Sequence, residues 1–365
     1  MVNRKLPAFP CEADVWDILS RETRPIAVYG MGNGADKLFR RFEKYGIRVA
    51  EVFASDGFVR GHSYRGYKVK SFSEIKEAYP EFVIVLSFAS NRSEVVQLLE
   101  EIDAEYELYI PDMPVADESE YFDREFFNEN YERIKSTYDL LCDEESKSIF
   151  SSIVNYKLTG KLRYLLYAYT ERDELYSLIS KKEIRTVIDA GAYNGDTARE
   201  AEKYFGKLEK IYAIEPDRRN FKKLSAYSEG AGCEIVCINA AVYNECRDGE
   251  FIGSGNRNSS VSSTASFEHE RLACPLITID SLNAEPDYVK YDVEGAEYEA
   301  LLGSLKTIKV SRPVLLVSLY HRSRDMFYIP ELLRVELSDY DYYVRRLYSV
   351  PAWELDLILI PKEIK

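Results

Sequence analysis

Lys290, Asp292 and Glu294 alternate along the run Val289-Lys290-Tyr291-Asp292-Val293-Glu294-Gly295. Period-two alternation would bring all three to one side of a strand. Charge is costly to bury there unless it is paired or used. Asp292 is expected on the cofactor or acceptor side of a site, with Lys290 and Glu294 tuning it; an ion-pair cluster supporting the turn is the other reading. His321, in Leu319-Tyr320-His321-Arg322, follows a later apolar run. An imidazole at a strand end could act as general base near neutral pH or could be structural. Asp189 lies near the end of Thr186-Val187-Ile188-Asp189-Ala190, and Gly191 and Gly195 follow it. A phosphate site would avoid an acid in this position, because helix N-termini attract anions. The acid suits a cation such as the amino group of an amino acid. Glu215 ends the next apolar run, Ile211-Tyr212-Ala213-Ile214-Glu215, where an acid suits the two hydroxyls of a ribose. An amino-acid cation beside an adenosine ribose describes S-adenosyl-L-methionine.

These residues need a sheet to hold them. Apolar runs predict strands at 186–190, 210–215, 234–239, 287–293 and 314–320, with two more near 340–348 and 355–360. The last two are expected to pair as an antiparallel hairpin at one edge. In open α/β sheets, ligands bind beyond the carboxyl ends of the strands, where strand order reverses. Asp189, Glu215, Asn239, Ala240 and Asp292 would meet there, with Asn239 or its neighbours at the adenine edge. The cofactor side is therefore expected at Asp189, Gly191, Tyr193, Asn194, Gly195, Glu215, Pro216, Asn239 and Ala240, and the catalytic side at Asp292, His321, Lys290 and Glu294. A polar loop, Gly253 to Ser263, reads as a mobile lid or a plain surface excursion. His and Asp spacing typical of a metal site is not visible, and no metal is expected.

Residues 1–115 repeat the alternation of strand and helix, with apolar runs at Pro25–Tyr29, Val49–Ala54, Phe82–Ser87 and Leu108–Ile110. This pattern predicts a small Rossmann-like unit with a parallel sheet. Gly30-x-Gly32-x-x-Ala35 matches a relaxed dinucleotide fingerprint, and Asp56 lies after the second strand. Asp56 is either a ribose acid or a turn residue; nucleotide binding and a purely architectural role both remain open for this unit. Residues 116–183 carry acids and aromatics at helical spacing and predict a helical connector or cap, with helices over Glu144–Lys157 and Leu162–Ser180. Its tyrosines, including Tyr156, Tyr164, Tyr167, Tyr169 and Tyr176, either pack the helices or stack on a sugar.

The chain has 365 residues and a formal charge of −14. Its length suggests two or three domains. The negative charge argues against a protein that binds nucleic acid through its overall field. The six cysteines show no zinc-like double pair, which suits a reduced compartment. With no signal peptide and no membrane span in evidence, a cytoplasmic location is expected.

The third part, 184–365, resembles the FkbM family of S-adenosylmethionine-dependent methyltransferases. The resemblance rests on Val187-Ile188-Asp189-Ala190-Gly191-Ala192-Tyr193-Asn194-Gly195-Asp196-Thr197, on Ala213-Ile214-Glu215-Pro216-Asp217, on Asn239-Ala240-Ala241-Val242, on Leu276–Leu282, and most distinctively on Lys290-Tyr291-Asp292-Val293-Glu294-Gly295-Ala296-Glu297. It implies a seven-stranded methyltransferase sheet and O-methylation of a small molecule, often a sugar or a polyketide or glycan precursor. The expectation is thus an α/β protein with two Rossmann-like domains joined by a helical segment, methylating a saccharide or nucleotide-linked sugar. The first domain and the helices would position that acceptor or mediate self-association as a homo-oligomer. An NAD(P)-dependent oxidoreductase using the N-terminal site, or an inactive binding or scaffold protein, are the alternatives.

Overall fold

Short β-branched and aromatic runs in the first third assemble into a five-stranded parallel sheet in the computed structural model. The structure describes residues 9, 13–116, 120–253 and 270–363. The strands are β1 (Ile26–Tyr29), β2 (Glu51–Ala54), β3 (Lys70–Ser71), β4 (Val83–Leu86) and β5 (Glu107–Tyr109), in the order β3-β2-β1-β4-β5. Every β1 and β4 residue is buried, as expected for strands covered on both faces. Gly34, in the first turn of the helix Asn33–Tyr45, packs against β4's end: a Cβ there would collide with the Ser87 carbonyl oxygen. A Cβ on Gly30 would meet the Phe88 ring and Ser87 Oγ. Asp56 accepts the Ser73 N–H at 3.1 Å and the Ser73 hydroxyl at 2.6 Å. These groups thus satisfy one another, and the turn reading of Asp56 accounts for its contacts.

The next segment carries helices at Arg124–Glu129, Tyr131–Leu140, Glu144–Thr159, Leu162–Tyr167 and Arg172–Ile179 and no strand among its described residues. The helix expected over 162–180 breaks at Ala168. The buried Arg346 guanidinium takes the carbonyls of Leu165 and Ala168 at 3.1 and 2.8 Å, and Thr170 N–H turns to Arg346 O at 2.6 Å. A cation that gathers the last carbonyls of a helix stops it there. Tyr156, Tyr164 and Tyr176 pack inside, while Tyr167 and Tyr169 are exposed.

The second sheet has seven strands: β6 (Thr186–Ala190), β7 (Lys210–Ile214), β8 (Glu234–Ile238), β9 (Tyr288–Tyr291), β10 (Val314–Ser318), β11 (Tyr340–Arg346) and β12 (Leu355–Pro361). Their order is β8-β7-β6-β9-β10-β12-β11. The first five run parallel, and β12 is antiparallel to both β10 and β11. The expected edge hairpin is therefore present, with its second strand inserted next to β10. A three-stranded sheet of Ala241–Val242, Arg247–Gly253 and Glu270–Ile277 was not expected from the sequence. Residues 254–263 of the polar loop lie outside the described residues.

One hydrophobic cluster runs from Ala27, Phe53 and Leu108 through Phe150 and Val154 to Val289, Val317 and Leu357. Polar links reinforce it: Lys157 pairs with Asp112 at 2.6 Å, and Ser90 bridges Val350. The helices thus pack between the two sheets as part of a shared core. Within the described residues, no helix is long and apolar enough to cross a membrane.

Candidate active site

The chain order reverses between β6 and β9. β6 leads outward to β7 and β8, and β9 restarts on the other side of β6. Gly191 lies at this point with φ +90°, and a Cβ there would strike the Asp292 carbonyl oxygen. Glycine thus lets the turns after β6 and β9 touch. A cavity of about 420 Å³ opens over these strand ends. Gly191, Tyr193, Glu215 and Pro216 line one part of it. Lys290, Asp292, Glu294, Ser318 and Tyr320 line another, and Tyr348, Trp353 and Asp356 come from the β11–β12 side. Asn91 and Val115 reach it from the N-terminal part of the chain, and Tyr169 and Tyr176 from the helices.

Glu215 is nearly buried. Its two oxygens each accept one backbone N–H at 2.8 Å, from Tyr193 and from Asp217. Tyr193 is left-handed at φ +46°, which brings its N–H within reach of the carboxylate. Burial pushes the Glu215 carboxyl up to about 8, against the lowering effect of those two N–H groups. Asp189 is wholly buried, and neither of its oxygens has a hydrogen-bond partner. Burial raises it to about 7, with the Lys290 ammonium opposing. It pairs in register with Lys290 across the β6–β9 ladder but is not among the residues lining the cavity.

The third group is built around His321. Its imidazole is wholly buried, with Nδ1 2.9 Å from Glu297 Oε1 and Nε2 3.4 Å from Glu294 Oε2 and 3.6 Å from Asp292 Oδ1. Burial works against the charged ring, but Glu297 and Glu294 outweigh it and hold its pKa well above the ordinary value. Burial also pushes Glu294 up, to about 7. Asp292 goes the other way: burial raises it, but the Lys290 ammonium and His321 together bring it down to about 2. Lys290 Nζ donates to Asp292 Oδ2 and to Thr197 Oγ1, each at 3.1 Å, and Tyr320 OH donates to Asp292 Oδ1 at 3.3 Å.

Lys290 and Asp292 are neighbours, as strand alternation predicts. Glu294 reaches the cluster differently. β9 ends at Tyr291, and Glu294 is left-handed at φ +54°. The chain bends there because the buried Glu297 carboxylate accepts the N–H groups of Val293 and Gly295. His321 lies behind the wall, facing Asp292 and Glu294, and is not itself among the lining residues. Asn239 and Ala240 do not line the cavity either. The Asn239 amide is bound to the carbonyls of Glu215 and Pro216, and Ala241 and Val242 take the wall positions instead. Asn194 offers its carbonyl to Arg199 at 3.4 Å, and Gly195 caps the helix Asp196–Phe205. Glu297 was not expected as a site residue, although it stands in the same motif. Its spacing from Asp292 and Glu294 gave no hint that a histidine beyond β10 would join them.

Residues 189–344 match the model of the methyltransferase FkbM domain. Over these residues the chain is similar to FkbM methyltransferase domains. No curated protein matches the sequence. A crystal structure of methyltransferase FkbM from Methylobacillus flagellatus KT superposes with a TM-score of 0.70 at 18% identity, covering 96% of this chain and 94% of that one. The likeness in fold therefore extends beyond residues 189–344 over the N-terminal sheet and the helices. The O-methyltransferase TomG from Streptomyces achromogenes, solved in complex with SAM, is 11% identical; the match covers 64% of this chain and 97% of that one. A methyltransferase from Geobacter sulfurreducens is 14% identical, covering 64% and 96%. Their TM-scores are 0.33 and 0.32. The matched residues include the turns at the strand reversal and the acids Glu215, Asp292 and Glu294.

Proposed function

We propose that the protein transfers the methyl group of S-adenosylmethionine to a hydroxyl of a saccharide. The observation that carries this reading is one cavity, at the strand reversal, with Glu215 on one wall and Asp292 and Glu294 on another. The residues fit the cofactor. Glu215 has lone pairs left for a vicinal diol after its two backbone contacts, and Asp189 is a buried carboxylate without a hydrogen-bond partner beside the glycine turn. A lining with acids at Asp196, Glu200 and Asp292 also favours a positively charged ligand. The cofactor would supply a methyl group on a sulfonium, open to in-line attack by an oxygen.

The chain's own part is to hold the acceptor and relieve it of a proton. Asp292, at about 2, stays ionised at neutral pH and suits a hydrogen bond from the acceptor hydroxyl. Glu294, at about 7, is matched to proton transfer near neutrality. Lys290 holds Asp292, and His321, fixed by Glu297, orients both acids from behind. Tyr169, Tyr320, Tyr348 and Trp353 offer ring faces for a sugar, and Glu354 and Asp356 offer acceptors for its hydroxyls. This acid-rich wall favours an unphosphorylated saccharide over a nucleotide-linked one. The N-terminal sheet and the helices would complete the acceptor's side through Asn91, Val115 and Tyr169. Incubation with methyl-labelled cofactor and a panel of free saccharides and sugar nucleotides tests the reading. Label is expected in a free saccharide, and tight cofactor binding with no transfer to any saccharide would favour the inactive-scaffold alternative.

A further inference from the structure

We propose that Asp292, Glu294 and His321 form a divalent-cation site on the acceptor wall of the cavity. Three carboxylates, from Asp292, Glu294 and Glu297, surround one imidazole, with Lys290 the ammonium bonded to Asp292. Asp292, Glu297 and His321 bring one ligand-type atom each within 4.8 Å of one another. The ring itself points to a ligand. It is wholly buried, and neither nitrogen makes an aligned hydrogen bond.

The two nitrogens have different surroundings. Nδ1 faces Glu297 Oε1 at 2.9 Å, and Glu297 is itself fixed by the N–H groups of Val293 and Gly295. A carboxylate on one ring nitrogen sets the tautomer and turns the other nitrogen towards a metal. Nε2 is that other nitrogen, and it faces Glu294 Oε2 at 3.4 Å and Asp292 Oδ1 at 3.6 Å. Ligand atoms about 2.0–2.2 Å from one small cation stand roughly 3–3.5 Å apart, and Nε2 already stands near that distance from each of the two oxygens. Asp292 Oδ1 also receives the Tyr320 hydroxyl, and Oδ2 the Lys290 ammonium, so the carboxylate is oriented from two sides. Asp292 and Glu294 line the cavity, which leaves the remaining positions of an ion open to an acceptor oxygen.

This inference rests on the placement of the acceptor hydroxyl at the cluster, and it deepens that reading. The ion would take the place of the Nε2 proton, which leaves to solvent, and would bind the hydroxyl oxygen. The O–H bond would then break with its electron pair left on that oxygen, and the proton would pass to Glu294 Oε1, the carboxylate oxygen that does not hold the ion. A cation lowers the pKa of an oxygen bound to it.

Mn2+ titration of the full chain, followed by electron paramagnetic resonance, tests the site without any turnover. The wild type is expected to bind one equivalent saturably. Asp292→Asn and Glu294→Gln should each weaken Mn2+ by roughly 10-fold or more, with circular dichroism confirming that both variants stay folded. Absence of saturable Mn2+ and Zn2+ binding by the wild type would overturn the proposal. So would unchanged affinity in both folded variants. Cofactor affinity, measured separately by calorimetry, distinguishes the two claims. Mn2+ binding without cofactor binding would count against the methyltransferase reading and leave the cation site standing.

Discussion

Glu297 and His321 meet at 2.9 Å, both without solvent exposure, although one opens the helix after β9 and the other follows β10. Their contact ties the turn carrying Asp292 and Glu294 to the next strand. The Glu297 carboxylate also holds the Val293 and Gly295 N–H groups, so a single side chain fixes both the turn and the ring. Glu297→Ala should therefore cost stability as well as activity. Removing one partner of a buried pair costs about 3–5 kcal/mol. Urea unfolding of the variant checks this, and Glu297→Gln, which can still accept an N–H, should recover part of the loss.

Gly191→Ala should lose cofactor binding. The added methyl would strike the Asp292 carbonyl oxygen, and φ +90° is unfavourable for any side chain. Strained backbone of this kind costs of order 1–3 kcal/mol, and the collision adds to it. A lowered melting temperature together with weakened cofactor affinity is the expected outcome.

Stability of the free protein should fall as pH rises towards 8. Burial lifts Glu215 from an ordinary 4.5 to about 8 and Asp189 from 3.8 to about 7. Between those values the folded chain keeps protons that the unfolded chain has released. Their contribution is complete below the unfolded values and is lost as pH rises through the folded ones. Glu215→Gln should remove its share of this slope. Melting temperatures of wild type and variant at mildly acidic and mildly alkaline pH give the comparison, and identical slopes would count against the assignment.

Tyr169→Ala should raise the KM for the acceptor by roughly tenfold, the loss expected from one stacking ring, and leave cofactor affinity unchanged. Tyr169 lines the cavity, is 43% exposed, and meets Tyr348 edge-on with ring centres 5.3 Å apart. Saturation kinetics with the labelled acceptor provide the test.

The seven strands and the Gly191 turn were legible because β-branched runs and glycines act locally. Glu215 was legible for the same reason, since an acid at a strand end is a local sign. His321 stood out as a histidine at a strand end, but its contacts were hidden because they depend on which strands lie side by side. Glu294 joined the cluster through a left-handed turn imposed by Glu297, and alternation along the chain could not reveal that. Asn239 was the expected adenine neighbour, yet its amide is consumed by the carbonyls of Glu215 and Pro216, and Ala241 and Val242 form the wall. The three-stranded sheet escaped because Ala241–Val242 is only two residues long and pairs with a distant strand.

Equilibrium titration of S-adenosylmethionine against wild type and Glu215→Ala asks whether the cavity over the strand ends holds the cofactor. One saturable site is expected in the wild type, with affinity roughly 2- to 10-fold weaker in the folded variant, given that a hydrogen bond between uncharged groups contributes about 0.5–1.5 kcal/mol. No binding to the wild type, or equal binding to both proteins, would contradict the account.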